Sequence, residues 1–396
     1  MIKRILFLSY YYTPDLGPGA FRNTALVESI LKEIHEDTIL DVMTTMPNRY
    51  QSFSDEVPAH FDSGSLKLHR FAVPQHTNGF WKQIKSFLSY RKQVLQATKA
   101  THYDLVFASS SKLFTAHLAF QIAKKKRLPL YIDLRDLFAE NIRELIKWPF
   151  IAYPLSWILK IFFEKPCLKY ATHINVNSEG FLKSLDYIKH ERISFFPNGI
   201  DDLFLNFPTS QMAQSNIRIV CYAGNIGEGQ GLDKIIPPLA QKLGSGFLFY
   251  IIGAGNTKQK LIDALNNLNI QNVKLISPVK RAELMQYYQQ AHYLFLHLND
   301  FEAFRKVLPS KLFEYGAMDK PILAGVAGYA KEFIEKHIQS NYFVFEPCDW
   351  KSAYHYLVND HYQVMTRPTF ISKFRRETIS DQMAKSILFY LPKNGI

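Results

Sequence analysis

The chain has 396 residues, 47% hydrophobic and 21% charged, the balance of a soluble globular protein with about two domains rather than a disordered one. A net charge of +12 calls for an anionic partner or surface. Cys167, Cys221 and Cys348 are far apart and form no Cys-x-x-Cys, which leaves neither a disulfide framework nor a zinc site.

The first apolar run, Ile2–Leu8, is too short for a secretory leader before Ser9 and three tyrosines, and reads as a buried strand. It leads into Ser9–Ala20, where Gly17 and Gly19 stand between strand and helix and let backbone approach a substrate or phosphate. Asp15 and Arg22 flank that loop; a plain turn is the competing reading. Further strands are expected at Thr38–Met43, Leu66–Phe71, Leu105–Ala108, Pro129–Ile132, His173–Val176 and Ile193–Phe196. Helices are expected over Ala20–Ile34, Trp81–Thr98, Leu113–Lys126, Leu155–Lys169 and Glu179–Leu185. The basic run Lys124–Arg127 ends one of these helices, where cations complement the dipole, and reads as a solvated helix end.

Asp133-Leu134-Arg135-Asp136 follows directly on a buried strand, so its charges sit at the mouth of the sheet, where catalytic groups are presented. Arg135 and Asp136 are the catalytic candidates; the spacing with Asp133 also fits a structural Asp–Arg network. Next, Trp148–Phe163 packs aromatics and aliphatics between Lys147, Lys160 and Lys165. Two prolines and a lysine interrupt it, so it does not span a bilayer. It reads equally as a core helix or as a segment lying at the headgroup level of a membrane. Residues 1–200 hold 26 basic and 18 acidic side chains against 21 and 17 in the rest, so the charge excess favours this half.

Pro197-Asn198-Gly199-Ile200-Asp201-Asp202 is a turn cluster, followed by polar sequence to about Asn216, and marks a domain boundary. The alternation then restarts, with strands at Ile217–Tyr222, Phe247–Ile252, Val273–Ile276, Tyr293–Leu296, Ile322–Ala324 and Tyr342–Phe345, and a last helix over Glu377–Tyr390. The pattern predicts an α/β chain of two doubly wound Rossmann-like domains facing one cleft. The domains are 1–200, 201–372, and a 373–396 helix returning to the first. Glycine-rich loops follow two of the second-half strands: Gly224–Leu232, with Asn225 and Gln230, and Gly253-Ala254-Gly255. In Leu308–Pro321, Pro309 and Ser310 open a helix, Lys311 stands beside its unpaired N–H groups, and Glu314 lies one turn deeper. That is an anion seat with a carboxylate behind it, suited to a diphosphate and a ribose; a capped surface helix is the alternative. The thirteen histidines show no ligand spacing, so no metal is expected.

Taken together, these elements resemble the retaining glycosyltransferases of family 4, with the GT-B fold. The resemblance runs through the Gly17–Gly19 loop, Asp133–Glu140, Pro197–Asp201, Gly224–Leu232, Gly253–Gly255, Ser277-Pro278-Val279 and Pro309–Pro321. The sequence is most similar to the branch building bacterial surface polysaccharides such as O-antigen or capsule. The resemblance implies transfer of a hexosyl or N-acetylhexosaminyl group, with retention and without a cofactor. The implied donor is a nucleotide sugar, a UDP-sugar by expectation, and the implied acceptor a lipid-linked saccharide. It places the donor mainly on the second domain and the acceptor mainly on the first. Glu314 then holds the ribose, Ser310 and Lys311 approach the diphosphate, Val279 lies near the base, and Gly17 and Gly19 approach the donor phosphates. In the family's E-x7-E motif the first glutamate falls on Lys306, and the basic pair that clamps the diphosphate falls on the neutral Asn225 and Gln230. Those departures favour, as the alternative, a non-catalytic nucleotide-sugar-binding subunit. A nucleic-acid partner finds no motif. The expected location is cytoplasmic, peripheral on an anionic membrane surface at the inner face of the cell membrane.

Overall fold

The computed structural model describes residues 2–15, 17–47, 57–74, 80–110, 113–137, 139–140, 142, 146, 148–205, 217–359 and 362–392. Leu16, Phe138, Lys147 and most of the polar stretch before Asn216 lie outside these. The chain divides into two units, Met1–Gly199 with Arg376–Ile396, and Ile200–Arg375.

In the first unit, β1 (Lys3–Ser9), β2 (Thr38–Thr45), β3 (His60–Asp62), β4 (Leu66–Phe71), β5 (Leu105–Ser110), β6 (Leu130–Leu134), β7 (His173–Val176) and β8 (Ile193–Phe195) form one sheet. Its order is β3-β4-β2-β1-β5-β6-β7-β8. β5, β6 and β7 are buried along their whole length, as expected of parallel strands covered on both faces. Only the β3–β4 pair is antiparallel among the described strands. β3 was not anticipated: its three residues are all exposed, so no apolar alternation announces it. The helix Pro18–Glu33 starts with proline in its first turn, where a missing N–H costs nothing. Its Leu26, Val27 and Ile30 share a core with Met383, Ala384 and Ile387 of the last helix, Arg376–Leu388.

The second unit repeats the plan with β9 (Arg218–Ala223), β10 (Phe247–Ile252), β11 (Val273–Ile276), β12 (Tyr293–His297), β13 (Ile322–Gly325) and β14 (Tyr342–Phe345). All pairs are parallel, in the order β11-β10-β9-β12-β13-β14. In both sheets the sequence-adjacent order reverses beside a central strand, β1 in one and β9 in the other. Ligands of such sheets bind beyond the carboxyl ends at that point. Gly199 ends the first unit at φ 71°, and a Cβ there would approach the Arg376 Cα to 2.8 Å, so the Pro-Asn-Gly turn needs glycine.

Two expected helices differ. Glu179–Leu185 is a 3₁₀ segment, and the expected Leu155–Lys169 helix starts earlier, at Pro149, and contains a π-helical turn over Leu159–Glu164. The core-helix reading of this segment fails. Trp148, Phe150, Tyr153, Trp157 and Phe162 are each 58–68% exposed, while Ala152, Ser156, Leu159 and Glu164 face inward. The buried face is held by Ser156 Oγ donating to Ala139 O at 2.6 Å and by Leu159 packing on Ala139 and Ile142. The expected basic neighbours are also placed differently. Lys160 pairs with Glu140 at 3.2 Å, and Lys165 lies over the Tyr187 ring at 5.1 Å.

Candidate active site

In the second unit the site grows from the loop after β9. Gly224 N–H donates to Ile252 O at 2.8 Å and Ile226 N–H to Ala254 O at 2.9 Å, which locks this loop to the one leaving β10. A Cβ at Gly253 would collide with the Gly224 carbonyl, and one at Gly255 with the Ile226 carbonyl. The glycines of Gly253-Ala254-Gly255 are therefore accounted for by neighbouring backbone, without a ligand. Gly224 differs: a Cβ there would collide with Lys311 Nζ. The ammonium lies on the glycine and 5.3 Å from the Tyr222 ring centroid, and the Tyr222 hydroxyl donates to Asn225 O at 2.6 Å. Glycine here lets a cation reach the strand-end backbone.

Lys311 begins the helix Lys311–Ala317, as the proline and serine before it predict. One part of that prediction needs correction. Ser310 occupies the N-cap position with helical torsions and its side chain makes no capping bond. Pro309 and Ser310 are half-buried. One turn on, half-buried Glu314 accepts a hydrogen bond from the Tyr288 hydroxyl at 3.2 Å, so a fully buried tyrosine orients it from behind. Val279 is half-buried in the loop leaving β11.

Asn225 and Gln230 meet each other, Nδ2 donating to Oε1 at 2.8 Å; as a neutral couple they cannot replace a basic clamp. Arg305, beside the Lys306 that stands at the motif's first glutamate position, is held by both oxygens of Asp300 at 2.8 and 3.0 Å. Sequence reasoning missed the groups that fix this loop. His297 Nδ1 donates to Gln230 O at 2.6 Å and Nε2 accepts from Cys348 N–H at 2.8 Å, a pairing that needs the neutral ring. Burial holds its pKa at about 4, so it stays neutral. Asn299 receives Lys234 Nζ at 3.2 Å and donates to Glu228 O at 3.0 Å. A lone histidine at a strand end carries no signal of such a role until its two partners are seen.

In the first unit Asp133 and Asp136 separate. Asp133 is fully buried and takes Arg22 through both oxygens at 3.0 Å, with Asn175 Nδ2 at 2.7 Å. Arg22 also donates to Pro197 O at 2.5 Å and Phe196 O at 2.8 Å. This network ties together the helix after β1 and the ends of β6, β7 and β8, which makes it structural. Arg135 turns the other way, onto Gly19: a Cβ there would stand 2.7 Å from Nη1. The guanidinium thus joins the N-terminus of the Pro18–Glu33 helix, with Gly17 at its cap position. A cation and a helix N-terminus at one point suit an anion. Asp136 retains some exposed surface, and burial pushes its pKa up to about 6, against the lowering pull of Arg135. A carboxylate so tuned accepts a proton near neutral pH more readily than an ordinary one.

With this geometry in place, known proteins show what the chain is similar to. Residues 208–358 match the family described as Glycosyl transferases group 1. Over nearly the whole chain the structure is similar to Anabaena Alr3699/HepE, solved in complex with UDP and glucose, at 15% identity and TM-score 0.67, covering 97% of this chain and 98% of that one. The fold is GT-B. Sucrose-phosphate synthase from Thermosynechococcus elongatus gives TM-score 0.72 at 12% identity, covering 97% and 98%. WaaG, a glycosyltransferase involved in lipopolysaccharide biosynthesis, gives 0.63 at 14%, covering 98% and 100%. No curated protein matches in sequence. The family match encloses Gly224, Asn225, Gln230, Gly253, Val279, Pro309, Ser310, Lys311 and Glu314.

Proposed function

We propose that the protein transfers a hexosyl or N-acetylhexosaminyl group, with retention, from a nucleotide sugar to a hydroxyl of a lipid-linked saccharide in surface-polysaccharide assembly. The observation that carries this reading is Lys311 Nζ seated on Gly224, with Glu314 one turn deeper, inside the segment that matches the glycosyltransferase family. The second unit takes the donor, for which UDP is the favoured nucleotide because Alr3699/HepE was solved with it. The bond between the sugar's anomeric carbon and the phosphate oxygen breaks, and its electron pair leaves with the diphosphate. Charge develops on that oxygen in the transition state, so the Lys311 ammonium and fixed N–H dipoles stabilise it selectively. The acceptor oxygen bonds to the anomeric carbon, and its proton passes to Asp136 or to the departing phosphate.

The membrane part of the reading is supported by the aromatic face of Trp148–Phe162, a large apolar surface of the kind that marks a docking site. No helix among the described residues is long and apolar enough to cross a membrane, in keeping with peripheral attachment at the cytoplasmic face. With Lys160 paired to Glu140, this face binds through apolar insertion more than through its own charge.

The neutral Asn225–Gln230 couple favours a second reading, a subunit that binds nucleotide sugar without turning it over. Incubation with UDP-glucose and UDP-N-acetylglucosamine, with and without lipid-linked saccharide extracted from membranes, separates the two. Acceptor-dependent release of UDP is expected; UDP-sugar binding without release assigns the binding subunit, and absence of both removes the donor site.

A further inference from the structure

A cavity of about 230 Å³ lies in the first unit under the helix Phe80–Ala97, walled by Ile84, Phe87, Leu88, Phe114 and Phe163. Its one polar edge is a ladder. Arg91 donates to Gln121 Oε1 at 3.2 and 3.0 Å, and Gln121 Nε2 meets His117 Nε2 at 3.1 Å. We propose that this cavity takes the hydrocarbon chain of a phosphate-headed lipid, the lipid portion of the acceptor. The proposal rests on the reading above that the acceptor is lipid-linked, and deepens it.

Three observations point to that occupant. The walls offer almost no hydrogen-bonding atom, so a peptide or sugar would bury unsatisfied polar groups there while a hydrocarbon chain has none to lose. The helix that lines the cavity is one-sided in charge: Phe80–Ala97 carries Lys82, Lys85, Arg91 and Lys92 with no acid, and Arg91 lines the cavity itself. Cations beside an apolar slot fit a phosphate on an alkyl or isoprenoid tail. The cations of this helix add to the attraction to an anionic surface.

Position supplies the third argument. Phe163, one wall of the cavity, directly follows Phe162, which is 59% exposed on the aromatic face, so one helical segment carries both the wall and the proposed membrane-facing surface. On its other side Phe87 stacks on Tyr10 at 6.1 Å, and Ser86 Oγ meets the Tyr10 hydroxyl at 2.7 Å. Tyr10 directly follows β1, and Phe114 lies in the first turn of the helix that follows β5. The inner end therefore reaches the carboxyl ends of the strands that present Gly19, Arg135 and Asp136. A chain in the cavity would hold the attached saccharide on that side of the sheet.

Titration of the full-length protein with dodecyl phosphate below its micelle concentration, with butyl phosphate, and with UDP tests this. Dodecyl phosphate is expected to bind at least tenfold more tightly than butyl phosphate, and Leu88→Glu, at a residue 54% exposed and so safe for folding, should weaken it at least tenfold. Trp157→Ser should leave that affinity unchanged while lowering retention on anionic vesicles. Equal binding of the two phosphates, no effect of Leu88→Glu, or vesicle binding without any binding of monomeric dodecyl phosphate would each overturn the proposal. UDP affinity reports the donor site separately. If dodecyl phosphate binds and UDP does not, the cavity stands and the glycosyl-transfer reading falls.

Discussion

The carboxyl end of β6 in the first unit and the loop after β9 in the second both lie at the carboxyl ends of parallel strands, and they are built from different materials. At β6 the scaffold is ionic: Asp133, Arg22 and Asn175 are buried and saturated. The functional candidates are the next charged residues along, Arg135 and Asp136. After β9 the scaffold is mostly neutral, made of backbone bonds, glycines without room for a Cβ, an uncharged His297, and Asn299 with Lys234 upon it. The proposed donor site there rests on one cation, Lys311, and one carboxylate, Glu314. A charged residue at a strand end can thus be scaffold as well as site, and at β6 the buried Arg22–Asp133–Asn175 network marks the scaffold.

Asp136→Asn tests this contrast with the largest effect. Turnover should fall about 10²–10⁴-fold, the range of general acid–base groups, with UDP affinity unchanged; a rate within a few-fold of the parent assigns Asp136 to packing. Its effect on stability should run opposite to its neighbour's. Because its folded pKa is raised to about 6, the native state binds the extra proton. Stability from this group is present below the unfolded carboxylate value and is lost as pH rises towards 6, so at pH 8 the neutral amide should be as stable as the parent or more so.

Asp133→Ala leaves Arg22 buried without its partner and should cost about 3–5 kcal/mol, read as a drop in the urea midpoint. If both aspartate variants destabilise alike, the division between scaffold and site at β6 is wrong.

Glu314→Gln should weaken UDP binding by about 1.5–3 kcal/mol, the worth of a charged hydrogen bond, with melting temperature unchanged. Lys311→Met should do the same, and Gly224→Ala, at φ 154° and under Lys Nζ, should reproduce it by displacing the ammonium. Calorimetric titration that finds Gly224→Ala silent would return this glycine to the structural set with Gly253. The smallest effect is in pH. Turnover should decline below about pH 6, tenfold per unit, as Asp136 takes up its proton, and His297, held at about 4, should add no second limb above pH 5.

Most of the fold was legible because parallel strands buried on both faces are written as short apolar runs between glycine and proline breaks. β3 was not, because an edge strand of His60, Phe61 and Asp62 buries nothing. The Lys311–Glu314 pair was legible from local spacing along one helix. The fates of Asp133 and Asp136 were not, since Arg22 lies 111 residues from Asp133 and no local pattern carries that pairing. Nor could the neutral pin at His297 be read, whose partners are Gln230 and Cys348. The face of Trp148–Phe162 stayed ambiguous in sequence because apolar residues surround the whole helix, and only Ser156 and Glu164, both turned inward, fix which side is covered.

The return of the last helix to the first unit sets a timetable for the ribosome. Leu26, Val27 and Ile30 are covered by Met383, Ala384 and Ile387, and Arg22 Nη2 reaches Met383 Sδ at 3.2 Å. At roughly 5–20 residues per second, the N-terminal sheet waits on the order of ten seconds or more after its own strands are made before its outer face can close. The later unit is continuous in sequence from Ile200 to Arg375, so it has every partner it needs first. The part of the protein synthesised earliest is therefore the last to be finished, and nascent chains stalled before residue 383 should display a bare apolar helix to chaperones.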